Sequence, residues 1–191
     1  MSKGYVPLRE QYDNSVSHAL EYYIADFALS RLADALGKKE DAKLFYNRSL
    51  GYKHYYSKEF GTFRPILPDG TFYSPFSPKQ GENFEPSPGF HEGNAWNYTY
   101  YVPHDVYGLA RLMGGKKSFV NKLQMIFDEG LYVRRTNPIS LILTCFLILR
   151  ERNGVLKKKR NVCWLNISLR SRTVFPVMMI QEQCLLGLFL I

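Results

Sequence analysis

Residues 1–133 predict an all-α fold, a barrel or solenoid of paired helices joined by aromatic loops, and residues 134–191 predict a poorly ordered tail with no domain of its own. Three observations carry this. Apolar residues recur at helical spacing in two adjacent stretches; a proline-rich aromatic segment follows them; and composition changes abruptly near Val133.

In the first stretch, Ser15 to Leu36, Val16, Ala19, Leu20, Tyr23, Ile24, Phe27 and Leu32 fall on one helical stripe. Asp13 or Asn14 can cap it, and Gly37 ends it. The second stretch has Glu40 and Asp41 in its first turn, where they complement the helix dipole, and Ala42, Phe45, Tyr46 and Leu50 on one face. The pair reads as an antiparallel αα-hairpin. From Ser57 to Glu92, Pro65, Pro68, Pro75, Pro78, Pro86 and Pro88 forbid a long helix. Phe60, Phe63, Phe72, Tyr73, Phe76, Phe84 and Phe90 give that segment enough apolar area to pack, so a folded binding loop is expected. Short helical pieces follow near Asn94–Tyr101, Val106–Met113 and Lys116–Phe127, with a break at Pro103.

The whole chain carries +8, but the body is neutral and the entire excess lies after Val133, where Glu151 and Glu182 are the sole acids. All 14 tyrosines fall at or before Tyr132, and Cys145, Cys163 and Cys184 all fall after it. A basic pI confined to the tail gives the body no nucleic-acid footprint. A body without cysteine needs no disulfide framework and is compatible with either redox compartment. The apolar run Ile139–Leu149 is well short of the ~20 residues of a transmembrane helix. The first residues show no signal peptide.

Two places can carry chemistry. Glu21 sits at the margin of the first helix's buried stripe, where partial desolvation would favour the protonated form that a general acid needs. An ion pair at the rim of the hairpin, for example with Arg31, is the plainer alternative. The segment Phe90–Val106, FHEGNAWNYTYYVPHDV, gathers Glu92, Asn94, Asn97 and Asp105 as hard oxygen donors of the kind calcium takes, though not at EF-hand spacing. Trp96, Tyr98, Tyr100 and Tyr101 offer flat faces suited to sugar rings. His91 and His104 lack zinc-site spacing. Equally, the same residues could cap helix ends while the aromatics fill core.

Together the segments resemble glycoside hydrolase family 92, a family of calcium-dependent α-mannosidases. The matching residues are Gly4–Pro7, Ser15–Tyr22 with its Leu20-Glu21-Tyr22, Ala35–Asp41, Glu92-Gly93-Asn94-Ala95-Trp96, Val102-Pro103-His104-Asp105-Val106, Leu112–Gly115 and Phe127–Tyr132. The resemblance implies a fragment of an (α/α)6 barrel at residues 1–133, with an N-terminal β-sandwich not represented here. It implies inverting hydrolysis of mannose-containing glycans, α-1,2-linked mannosides foremost, by a parent enzyme that is secreted, periplasmic or on the cell surface. By the same resemblance Glu21 is the general acid; Trp96, Glu92, His104 and Asp105 bind substrate; and Glu92, Asn94 and Asn97 are candidate calcium ligands. Asn97 departs from the family pattern, which has glutamine there. A tetratricopeptide-like binding module is the rival reading, but no second copy of the hairpin recurs at a period of about 34 residues.

Inverting hydrolysis needs a second carboxylate roughly 6.5 to 9.5 Å from the acid. The family supplies it from a Gly-Asn-Asp-Asp segment followed by Met-Ser-Ala-Trp, which residues 134–191 lack. A one-base frame error accounts for this. Joining the last base of each codon to the first two of the next turns Met178-Met179-Ile180 into Asp-Asp whatever codons are used. With permitted codons, Pro176 to Gly187 then read Gly-Asn-Asp-Asp-Thr-Gly-Ala-Met-Ser-Ala-Trp, and Arg134 to Ile139 read Ala-Asn-Glu-Pro-Asp. Resequencing the gene across the codons for Arg134 and Arg135, and translating past Ile191, is expected to give this family-like frame. Codons at Pro176–Gly187 that cannot spell the motif would show the tail to be a protein sequence in its own right.

Overall fold

The computed structural model describes residues 3–10, 13–80 and 88–131, and the expected tail lies outside them. Helix α1, Ser15–Ala35, and helix α2, Lys39–Ser49, form the expected hairpin. Gly37, at φ +74°, closes α1: Lys38 N–H reaches back to Ala33 C=O (2.8 Å) and Gly37 N–H to Asp34 C=O (3.0 Å). Between the helices the buried Asp26 carboxylate receives Arg48 through two contacts, 3.0 Å from Nη2 and 3.2 Å from Nε, and Ser30 Oγ donates to Ala42 C=O (2.9 Å). Burial pushes the Asp26 carboxyl upward more strongly than Arg48 pulls it down.

The inward stripe of α1 is Val16, Ala19, Leu20 and Tyr23, as its spacing predicts. Leu32 departs from that expectation and is exposed, together with Tyr22, Leu29 and Leu36, and on α2 Tyr46 is exposed rather than packed. On α1 these residues are three, four or seven apart and so share the outward face. The helix is therefore apolar on both sides, a pattern that belongs to helices buried all round.

A 3₁₀ turn, Leu50–Tyr55, carries the chain from α2 into a two-residue antiparallel pair, β1 Tyr56–Ser57 and β2 Thr62–Phe63, with Tyr56 opposite Phe63. This pair, with an isolated antiparallel bridge between Ile66 and Phe72, departs from an all-helical fold. Buried tyrosines tie the N-terminal segment to α1 and to the 3₁₀ turn: Tyr23 Oη donates to Gly4 C=O (2.7 Å) and Tyr55 Oη to Val6 C=O (2.9 Å).

In the described part of the proline-rich segment, residues 59–76 gather around a cation. Arg64, nearly buried, donates from Nε to Tyr73 C=O (2.8 Å) and from Nη1 to Glu59 Oε2 (3.1 Å). Its guanidinium lies 5.0 Å from the Phe60 ring centroid, 5.5 Å from Phe72 and 5.6 Å from Phe76. Planar and weakly hydrated, a guanidinium can be stacked by three rings where an ammonium would remain solvated.

Beyond Pro88 come helix α3 (Ala95–Thr99), a 3₁₀ turn (Pro103–Asp105), helix α4 (Val106–Leu112) and helix α5 (Lys116–Asp128). Thr99 Oγ1 accepts from Phe63 N–H (2.8 Å), which seats α3 on β2, and Tyr100 packs edge-on against Phe119 of α5. Within this group Phe119, Leu123 and Ile126 are fully buried.

The join between this C-terminal group and α1 runs through Gly89. Its carbonyl accepts from Val16 N–H (3.0 Å) and Ser17 N–H (3.1 Å), and its own N–H donates to Asp13 C=O (2.7 Å). Neither Asp13 nor Asn14 caps α1 by its side chain, in contrast to the sequence expectation; Asp13 instead accepts from the Arg9 and Glu10 N–H groups. The distant carbonyl satisfies two of the N–H groups that a helix start leaves open. Gly89 has φ +88°, and a Cβ there would stand 2.5 Å from Pro65 Cγ and 3.1 Å from Val16 Cγ2. Gly89→Ala is thus expected to combine left-handed backbone strain with overpacking and to cost about 2–4 kcal/mol. Urea unfolding of the two proteins measures this, and a loss under about 0.5 kcal/mol, the range of ordinary surface substitutions, would contradict the role given to Gly89.

Candidate active site

Capping of α1 by Gly89 sets His91, two residues on, beside the start of the helix. His91 N–H donates to Ser17 Oγ (2.9 Å), and Asn14 Nδ2 donates to His91 Nδ1 (3.4 Å). Glu92 adopts φ +49°, the one non-glycine in the left-handed region among the described residues. Such a conformation is uncommon for a residue with a side chain and tends to mark functional places. Its carboxylate is exposed, with Oε1 at 3.6 Å from His91 Nε2, a contact that becomes an ion pair when the imidazole is protonated.

Two buried amides follow at the start of α3. Asn94 is fully buried: its Oδ1 accepts from Asn97 N–H (3.0 Å) as the N-cap of α3, and its Nδ2 donates to Leu131 C=O (2.9 Å). Asn97 is also fully buried. Trp96 is half-exposed, and its Nε1 is buried without a hydrogen-bond partner. An indole so placed offers a ring face to solvent.

Glu21 comes to the same place from α1. Tyr101 Oη donates to Glu21 Oε1 across a separation of 80 residues. Tyr101 stands edge-on to Tyr98, whose hydroxyl donates to His91 C=O and whose ring packs against Phe90. Burial first, and then the hydrogen bond and charge of Glu21, push the Tyr101 hydroxyl's ionisation well above its ordinary value, so it stays a donor. Glu21 itself is exposed, which corrects the partial desolvation expected from helical spacing. Arg31 is not its partner; the contact is the tyrosine.

The Val102–Val106 motif takes another course. Asp105 caps α4, its Oδ1 accepting from Gly108 N–H (2.8 Å) while Oδ2 accepts from Tyr52 Oη (2.8 Å). His104 Nε2 donates to Ser49 C=O (2.9 Å), its ring lies against Phe27 and Tyr52, and its Nδ1 is buried without a partner. Both side chains, expected at the substrate, are engaged with α1, α2 and the following 3₁₀ turn. No signal in the sequence pairs Tyr52 with Asp105 or Tyr101 with Glu21, because each partner lies more than 50 residues away in the chain. The described residues hold no group of three or more His, Cys, Asp or Glu able to bind a metal ion.

The sequence matches the model of the glycosyl hydrolase family 92 catalytic domain over residues 1–144. The chain belongs to that family. A family GH92 α-mannosidase of Bacteroides thetaiotaomicron, solved in complex with mannoimidazole, is similar at 29% identity with a TM-score of 0.68, covering 78% of this chain and 22% of its own. The family GH92 inverting mannosidase BT2199 of the same organism is similar at 26% identity and a TM-score of 0.60, covering 78% and 20%. An uncharacterized secreted glycosidase of Arthroderma benhamiae is 25% identical over 163 residues, 72% of this chain and 21% of that protein. The chain thus spans about a fifth of the length of these relatives. Residues 145–191 lie outside the family match.

Burial lowers the pKa of His104 below that of an unfolded histidine, outweighing the upward pull of the Ser49 carbonyl and of Asp105. Below about pH 6.5 the unfolded chain therefore binds a proton that the folded chain resists. The stability contributed by neutral His104 is fully present above that pH and declines as pH falls toward the folded value. Denaturant unfolding between pH 7.5 and 5.5 is expected to show this decline, and His104→Gln is expected to flatten it; an unchanged slope in the variant would remove His104 as its source.

Proposed function

We propose that this chain is a piece of the (α/α)6-barrel catalytic domain of an inverting α-mannosidase acting on mannose-containing glycans, α-1,2-linked mannosides foremost, with Glu21 as its general acid. The observation that carries the reading is the meeting of Glu21 with the His91–Tyr101 strip at one place on the surface. In this reading Glu21 protonates the departing glycosidic oxygen, and the half-exposed Trp96 and the outward Glu92 receive the sugar. Asn94, His104 and Asp105 act at one remove, by holding the strip and α4 in place.

Calcium, which the family resemblance implies, would supply positive charge to engage the sugar. The described residues do not fit a site for it. A calcium shell takes 6–8 oxygens; Glu92 offers one exposed carboxylate, the Asn94 amide oxygen already serves as a helix cap, and Asn97 is buried. The steps assigned to Glu21, Trp96 and Glu92 run without it.

The water-activating carboxylate is assigned to the shifted frame of residues 134–191, and the end of the family match at residue 144 supports a break in that region. The similarity to a secreted glycosidase supports an exported parent enzyme, and the similarity to mannosidases supports the substrate class.

The 191-residue chain is expected to release no mannose from aryl or disaccharide α-mannosides. The full-length parent gene with its frame restored, which the resemblance expects to supply both the water-activating carboxylate and the N-terminal β-sandwich, is expected to do so, and Glu21→Gln in it to reduce the rate on disaccharides by about 10² to 10⁴. Mannose release by the 191-residue protein, with or without calcium, or full activity of the restored Glu21→Gln enzyme on disaccharides, would refute the proposal.

A further inference from the structure

We propose that Tyr101 is the positioning residue for Glu21, holding one carboxyl oxygen so that the transferable proton resides on the other. The inference rests on the reading of Glu21 as the acid, and on a chain of contacts that fixes the tyrosine before it fixes the glutamate. Phe90 packs against Tyr98, Tyr98 Oη is spent on His91 C=O, and the Tyr98 ring meets Tyr101 at 78° with centroids 6.1 Å apart. His91 is in turn held by Ser17 on α1, one helical turn before Glu21. The hydroxyl of Tyr101 therefore arrives at Glu21 already oriented, from the same segment that carries Trp96.

Burial does not demand this bond. Glu21 is exposed and water would satisfy both its oxygens. A tyrosine placed by the Tyr98 ring, which is itself fixed by Phe90 and His91, adds little to stability by meeting a solvated carboxylate, but it does select which carboxylate oxygen is free. With Tyr101 Oη donating to Oε1, the remaining oxygen, Oε2, is the one left to carry a proton toward a leaving group. The tyrosine keeps its own proton throughout, since burial and the adjacent carboxylate both disfavour its ionisation.

The test begins with the 191-residue protein carrying 3-fluorotyrosine at position 101. Its ¹⁹F resonance is expected to move when carboxyl groups are titrated with acid and to lose that dependence in Glu21→Gln. Tyr101→Phe is expected to leave the melting temperature unchanged within error. A resonance indifferent to Glu21, or a Tyr101→Phe protein that melts as early as a core variant, would overturn the proposal without any reference to mannosides. In the full-length, frame-restored parent enzyme, Tyr101→Phe is expected to lower kcat about tenfold for unactivated mannosides, the worth of one hydrogen bond, with KM unchanged. Aryl mannosides whose leaving groups need no protonation are expected to be spared. Equal losses on both substrate types would also overturn it, whereas a restored enzyme indifferent to Glu21→Gln would sink the assignment of the acid instead.

Discussion

The carbonyl of Gly89 is the constraint on which the candidate site depends. By accepting two N–H groups at the start of α1 it does the work of a helix cap from 70-odd residues away in sequence, and it thereby fixes where the following strip runs. Only glycine satisfies the position, because the backbone is left-handed there and Pro65 occupies the space a Cβ would need. Pro65 is itself next to Arg64, whose cation gathers Phe60, Phe72 and Phe76. The ordered aromatic loop thus forms the wall against which Gly89 is pressed, and loop order, helix capping and placement of Glu92 become one mechanical unit.

The polar residues of the His91–Asp105 segment divide by burial. Asn94, Asn97, His104 and Asp105 lie inward or half-inward, and those whose contacts are resolved spend them on backbone groups and on Tyr52. Glu92 lies outward with its carboxylate exposed, and Trp96, half-buried as His104 and Asp105 are, has its Nε1 turned in without a partner. A buried amide or carboxylate must be satisfied by protein, so its chemistry is used up in doing so. What remains to meet a ligand is the set that faces solvent, and that set is smaller than the motif.

Glu21 and the outward face of α1 share one circumstance. Tyr22, Leu29, Leu32 and Leu36 are exposed on a helix that is apolar on both sides, and Glu21 stands on the margin of that outward face. A surface that covered those side chains would also take water from Glu21. Desolvation of a carboxyl is thus a property of its neighbours rather than of its own helix.

Local patterns in the sequence determined much of this protein. Helical spacing set α1 and α2, Gly37 set the turn between them, proline density excluded a long helix from residues 57–92, and the Glu92–Trp96 and Val102–Val106 motifs identified the family. Each depends on residues close in the chain, where period and φ preference act directly. Tertiary structure alone decided that Gly89 rather than Asp13 or Asn14 caps α1, that Arg64 orders the aromatic loop, that Asp105 answers to Tyr52, and that Tyr101 reaches Glu21. Those contacts join residues brought together by the path of the chain, and neither spacing nor residue type records which hydrogen-bonding groups will find themselves face to face.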